Sequence, residues 1–231
     1  MKKIVIDQAD GLRRLMAGTP GRMVAVLGSD PSDVESIARN LNASLLQQGQ
    51  DVVLLDERQG QQATPAPRQG QLVLVHAVLD VEGALSPLAA QADHVVVVLR
   101  ANASSIKASY VCIKKLHHAH ALQRLRVLVN GVADAAEAQR ILTNLAQTGS
   151  RYLALALEPA GWVRADPLLT QARRLNQAVV EAFKSSPAAL DFRQIAADLL
   201  QWPQHQAQNR PPSGTAYAPA CVDAKPVLAT H

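Results

Sequence analysis

Gly28-Ser29-Asp30-Pro31-Ser32-Asp33 lies between an apolar run and a helical pattern, where many α/β chains hold phosphate. A triphosphate cradle needs free backbone N–H groups and positive charge. This loop offers one glycine, no lysine and two acids. Pro31 removes an N–H, and Asp30 and Asp33 repel an anion. The residues predict either a phosphate loop that has lost its chemistry or an ordinary strand–helix turn in a fold that never bound nucleotide.

Two other clusters have reactive or charged side chains. In His117-His118-Ala119-His120, His117 and His120 are three apart and share a helical face. Zinc takes four ligands with supporting acids or cysteines, and Cys112 is the one neighbour of that kind. A solvated helix end without metal is the expectation. Lys107, Lys114 and Lys115 join these histidines in a mildly basic surface suited to an acidic partner. No aromatic interleaving supports base stacking, so nucleic acid is not expected. Near the start, Asp7 can N-cap a helix running to about Met16, with Asp10 in its first turn. Leu12, Leu15 and Met16 form an apolar ridge and Arg13-Arg14 a basic flank. The residues alone leave open whether this helix packs on its own domain or on a partner.

The elements that must position these groups alternate. Apolar runs at Met23–Gly28, Val52–Asp56, Leu72–Val78, His94–Leu99, Leu125–Asn130 and Tyr152–Leu157 read as strands covered on both faces. Val34, Ile37, Ala38, Leu41, Leu45 and Leu46 have helical spacing, with Ser32 or Asp33 as N-cap, and Ala133–Gln147 repeats the pattern. The fold class predicted is α/β, a doubly wound, mainly parallel sheet with helices on both faces. A (β/α)8 barrel needs more residues. The expected organisation is a helix and linker over 1–20, one domain over 21–203 and a disordered Gln-, Pro- and Ala-rich tail over 204–231. The chain has 231 residues, a formal charge of +4 and 48% hydrophobic residues. No apolar run approaches the ~20 residues of a membrane span. Cys112 and Cys221, far apart, fit a reduced cytoplasmic chain.

Asp7-Gln8-Ala9-Asp10-Gly11-Leu12-Arg13 resembles the D-Q-A-x-x-L-R opening of the FlhG/FleN proteins, MinD-like ATPases that set flagellar number and position. The body agrees in order. Asn40-Leu41, Leu45, Gly49 and Val52–Asp56 resemble that family's N-L-x-x-x-L-x-x-x-G-x-x-V-L-L-L-D. Asn102–Tyr110 with Ile113-Lys114 is similar to its P-E-P-T-S-x-x-D-A-Y-x-x-I-K, and Leu128-Val129-Asn130 with Glu137-Ala138 to its V-N…E-A. The resemblance covers roughly 7–200 and implies a MinD-type nucleotide-binding fold.

Departures from the pattern carry the functional expectation. The family's loop G-K-G-G-x-G-K-[ST] falls on Gly28–Glu35. Its lysines fall on Ser29 and Val34, and its magnesium-binding hydroxyl on Glu35, beside Ser36. Asp56 of the family's D-x-D remains, but Arg58 replaces the second acid. The third strand ends in Val75-His76, where the family has an acid. The resemblance therefore implies a pseudo-ATPase with no cofactor of its own. Asp56 and Asn130, the latter aligned with an adenine-reading Asn, are the candidates for residual nucleotide contact. Arg58 or Lys107 would supply charge from outside the loop in an active enzyme. The implied partner is the signal-recognition-type GTPase FlhF. Asp7, Gln8, Ala9, Leu12 and Arg13 would engage it, and the Gln8 amide would orient its attacking water. A flagellar transcription regulator and basal-body proteins are the other implied partners. Pro187–Trp202, with Asp191, Arg193 and Asp198, lacks the basic face of a membrane-binding helix, so membrane binding is expected to be weak or absent.

Overall fold

From the amino end, β1 (Arg22–Gly28) leads to α1 (Pro31–Gln47), β2 (Val52–Asp56), β3 (Leu72–His76) and β4 (His94–Arg100). The chain continues through α2 (Ala103–His120), β5 (Arg124–Val132), α3 (Ala135–Leu153) and β6 (Ala156–Arg164). It ends in α4 (Pro167–Arg174), α5 (Val179–Ala182) and α6 (Pro187–Gln201). The computed structural model describes residues 21–59 and 67–203. The leader and the tail lie outside the described residues.

The strands form one sheet in the order β2–β3–β1–β4–β5–β6, with every pairing parallel. Alternate residues of the valine-rich runs point to opposite faces, and both faces are buried. On one face Val24, Val26, Val96 and Val98 meet Val34, Ile37 and Leu41 of α1 and Phe192 and Ile195 of α6. On the other, Ala25, Leu27, Val97 and Leu99 meet Ile113 and Leu116 of α2 and Ala138 and Leu145 of α3. The doubly wound expectation holds. β1 and β4 are neighbours whose helices leave to opposite faces, so a crevice opens at their carboxyl ends.

Local chemistry sets the helix limits. Asn102 caps α2, accepting from the Ser105 amide at 2.9 Å, and Ala121 closes it in the left-handed region at φ 50. Asp134 caps α3 while Glu137 reaches back to the Ala133 amide at 2.6 Å. Arg22 donates to the end of α6 at Leu199 O (2.8 Å) and Trp202 O (3.0 Å), satisfying carbonyls the helix cannot.

Five expected strands appear within two residues of their expected limits. The sixth differs. Tyr152 and Leu153 belong to α3, which extends past the expected Gln147 until Ala154 turns it at φ 50. β6 follows as an edge strand containing Pro159 and Gly161, with a register irregularity opposite Val127 and Leu128. An edge tolerates Pro and a bulge, and the same residues hide the strand in the sequence. α4 and α5 were not expected, although Asp166-Pro167 is a cap followed by an N1 proline.

Gly161 has φ +136, and a Cβ there would lie 2.6 Å from Ile195 Cγ1. Gly161→Ala is expected to lower unfolding stability by about 2–3 kcal/mol, read as a shift in the urea midpoint with unchanged slope.

Candidate functional site

α1 begins two or three residues earlier than the sequence predicts. Asp30, not Ser32 or Asp33, is the N-cap, because Pro31 has a backbone suited to the first helical position. Asp30 Oδ1 accepts from the Ser32 amide (2.9 Å), the Ser32 hydroxyl (2.8 Å) and the Asp33 amide (3.4 Å). These hydrogen bonds, Ser32 foremost, hold the Asp30 carboxyl below its ordinary range. The amides a phosphate would need are thus taken by the chain's own carboxylate. Gly28 serves packing: a Cβ there would lie 2.6 Å from Val98 O and 3.0 Å from Val34 Cγ2. Val34, where the resemblance sets a lysine, is buried in the core under the turn.

Arg100, the last residue of β4, spans the crevice. Its guanidinium binds the buried Asp33 carboxylate through two donors, and its Nη2 lies 3.7 Å from Asp30 Oδ2. Thus Asp30 and Asp33 bind a cation of the protein itself. At the end of β2, Arg58 donates through Nε to Asp56 Oδ1 (3.1 Å) and through Nη2 to Asp56 Oδ2 (2.7 Å) and Glu35 Oε2 (2.8 Å). Glu35 also pairs with Arg39 at 3.0 Å. Both acids beside Arg58 thus engage it. His76, buried at the end of β3, places Nδ1 3.4 Å from Asp56 Oδ1.

Ser29 and Ser36 differ in setting. Ser29 lies with Gly28 on a groove beside α2, and Ser36 faces a cavity of about 550 Å³ on the other side of the crevice. That cavity sits at the ends of β4, β5 and β6, with Arg100, Asn130, Arg164 and Arg173 among its walls. Asn130 is 7% exposed. Its buried side-chain Oδ1 has no hydrogen-bond partner. Asp56 is not part of this cavity. Three sheet neighbours, β3, β1 and β4, separate its strand from that of Asn130, so the two residual-contact candidates are not brought together.

The histidine cluster lies within the last turn of α2. His117 Nδ1 is 2.9 Å from Leu122 O, and His120 Nε2 accepts from the Leu85 amide at 2.7 Å. Both histidines fasten loops; His118 alone matches the solvated end expected. Among the described residues no three His, Cys, Asp or Glu side chains are placed to hold a metal ion. Glu57 is a residue that sequence reading missed. Its carboxylate accepts from the Val78 amide at 3.0 Å and from the Ser86 hydroxyl, tying β2 to the loop after β3. Asp7, Gln8, Ala9, Leu12 and Arg13 lie outside the described residues.

In sequence the chain is similar to the antiactivator FleN of Pseudomonas aeruginosa, 32% identical over 112 residues. The match covers 48% of this chain and 40% of FleN, so it spans less than half the relative's length. In fold the chain is similar to the MinD cell division protein of Aquifex aeolicus, with TM-score 0.57 and 14% identity over 79% of this chain and 98% of that one. It is also similar to MinD complexed with Mg-ADP from Pyrococcus horikoshii, with TM-score 0.54 and 9% identity over 78% and 96% of the two chains. Together these likenesses give the chain the MinD-type fold and a partial sequence likeness to FleN. No family model matches it.

In this chain the residues at the β1–α1 turn do not fit Mg-nucleotide phosphates: the amides are occupied, the flanking groups are acids, and the nearby cations are paired. The same pairs set a pH dependence. Hydrogen bonding to Arg58, first among its causes, holds the Asp56 carboxyl below the usual 3.8. Burial pushes the His76 imidazole below 6.5 against the pull of Asp56. Both groups bind fewer protons folded than unfolded, so their stabilisation is complete above the unfolded value and is lost as pH falls through the folded one. Unfolding free energy is therefore expected to start declining as pH drops below 6.5. His76→Asn should remove this upper part of the slope, and Arg58→Ala should soften the acid limb below pH 3.8, both read by chemical denaturation across pH.

Proposed function

We propose that this chain is a FleN-type regulator of flagellar number and placement that works in the cytoplasm by docking on partners and hydrolyses no ATP. One observation carries the reading. Asp30 takes the first amides of α1, while Arg58 and Arg100 are bound to Asp56, Glu35 and Asp33. Phosphoryl transfer depends on positioning and on electrostatic stabilisation of the transferred group, and both are absent at this turn. Isothermal calorimetry of the full chain with Mg-ATP is expected to show no binding up to millimolar ligand, and a phosphate-release assay no turnover. Micromolar affinity or steady hydrolysis would overturn the proposal.

A second reading, an active MinD-type ATPase with a divergent loop, draws support from the cavity around Asn130 and its unpartnered Oδ1. It requires nucleotide binding that Asn130→Ala removes, which the same titration detects.

The leader motif supports FlhF as the partner, with Gln8 orienting the water of the GTPase and Asp7, Ala9, Leu12 and Arg13 seating the helix. Wild-type chain is expected to raise GTP hydrolysis by FlhF. Gln8→Ala should reduce that gain by about 10-fold or more, as for other residues that position a reacting group. An equal gain from the variant would exclude Gln8. Similarity to an antiactivator supports contact with a transcription regulator as well. Removing residues 1–20 separates the two, since only the GTPase contact needs the leader.

A further inference from the structure

We propose that the groove between α2 and the loop over residues 77–85 is a docking site for an acidic, amphipathic segment of a partner protein. It is separate from the leader and does not rest on the reading above. The groove has a volume of about 280 Å³, and its apolar walls are Pro31, Val78, Leu79, Ala108, Val111 and Cys112. Large apolar side chains stay open to water at its rim: Val78 is 45%, Val81 91% and Val111 48% exposed. Surface valines are ordinary singly, but three around one concavity form a patch.

Charge identifies the occupant. Lys107, Val111, Lys114, Lys115 and His118 recur along one side of α2 at helical spacing, and all are exposed. Lys107 and Lys114 form no ion pair with any described residue. Lys115 donates to Val81 O at 3.3 Å. Asp80, the acid on the groove wall, is occupied by the amides of Glu82 (2.9 Å) and Ala84 (2.8 Å). A partner helix with one apolar stripe and flanking carboxylates matches this arrangement of apolar floor and lysine edge. Nucleic acid is disfavoured because the lining has no Phe, Tyr or Trp on which bases could stack. A bilayer is disfavoured because the apolar floor is concave.

The loop that forms the second wall is held in place before any partner arrives. Gly83, at φ +91, lies so close to the Lys115 stem that a Cβ would be 2.4 Å from Lys115 Cβ. The Leu85 amide donates to His120, and Glu57 holds Val78 and Ser86. A preformed wall lowers the ordering cost of binding.

The test uses the full chain and a fluorescein-labelled synthetic helix of about three heptads, with leucines on one face and glutamates elsewhere. Anisotropy is expected to show saturable binding that weakens with salt. Val111→Asp and the double change Lys107→Glu, Lys114→Glu should each weaken it about 10-fold or more, with circular dichroism and melting temperature unchanged because these side chains are exposed. The proposal is overturned by absence of saturable binding, by equal binding of a peptide with lysine in place of glutamate, or by unaltered affinity in both variants. Binding that appears only with phosphatidylglycerol vesicles or single-stranded DNA overturns it too.

Discussion

The first turn of α1 has one set of free amides, and a carboxylate from its own chain occupies them. Asp30 caps the helix, Pro31 sets the backbone of the first turn, and Gly28 lets β1 end against β4. An external anion at this point would compete with Asp30 for the same N–H groups and would meet a second acid, Asp33, behind it. The interaction that starts the helix is therefore the one that closes the turn to phosphate. A lysine-rich loop leaves those donors free for a ligand; here the fold uses them for itself.

The same logic extends along the carboxyl edge of the sheet. Asp33, in the first turn of α1, and Asp56, at the end of β2, stand where a metal or substrate would otherwise balance them. Arg100 and Arg58 balance them instead, from β4 and from the turn after β2. His76, buried beside Asp56, adds a group that stays neutral more readily than a surface histidine. These acids are balanced without a ligand, which removes one reason for this part of the edge to change shape when one arrives. Asn130 is the exception, because its buried acceptor lacks a partner.

What could be read from the residues follows from what each signal depends on. Valine-rich runs need burial on both faces whatever their neighbours do, so β1 to β5 and the parallel, doubly wound arrangement were legible. The loss of positive charge at Gly28–Asp33 was legible too, since it is a matter of residue type. The N-cap was misplaced by two or three residues because Ser32, Asp33 and Asp30 are all good caps, and only the N1 geometry of Pro31 decides among them. β6 was hidden by its own Pro159 and Gly161. The pairing of Arg100 with Asp33 joins residues 67 apart, and no local pattern announces it. Glu57, and the loop contact of His120, were not legible for the same reason: their partners are loop amides distant in sequence.

On the proposed reading the MinD-type frame takes no phosphate signal, so its binding surfaces must be usable as folded. The groove beside α2 meets that condition. Its loop is pinned by Glu57, Gly83 and His120, and its lysines are not tied up in ion pairs with described residues. Its floor includes Pro31, so the first turn of α1 is also part of the groove wall. On that reading, regulation resides in the abundance and identity of partners instead of in bound nucleotide.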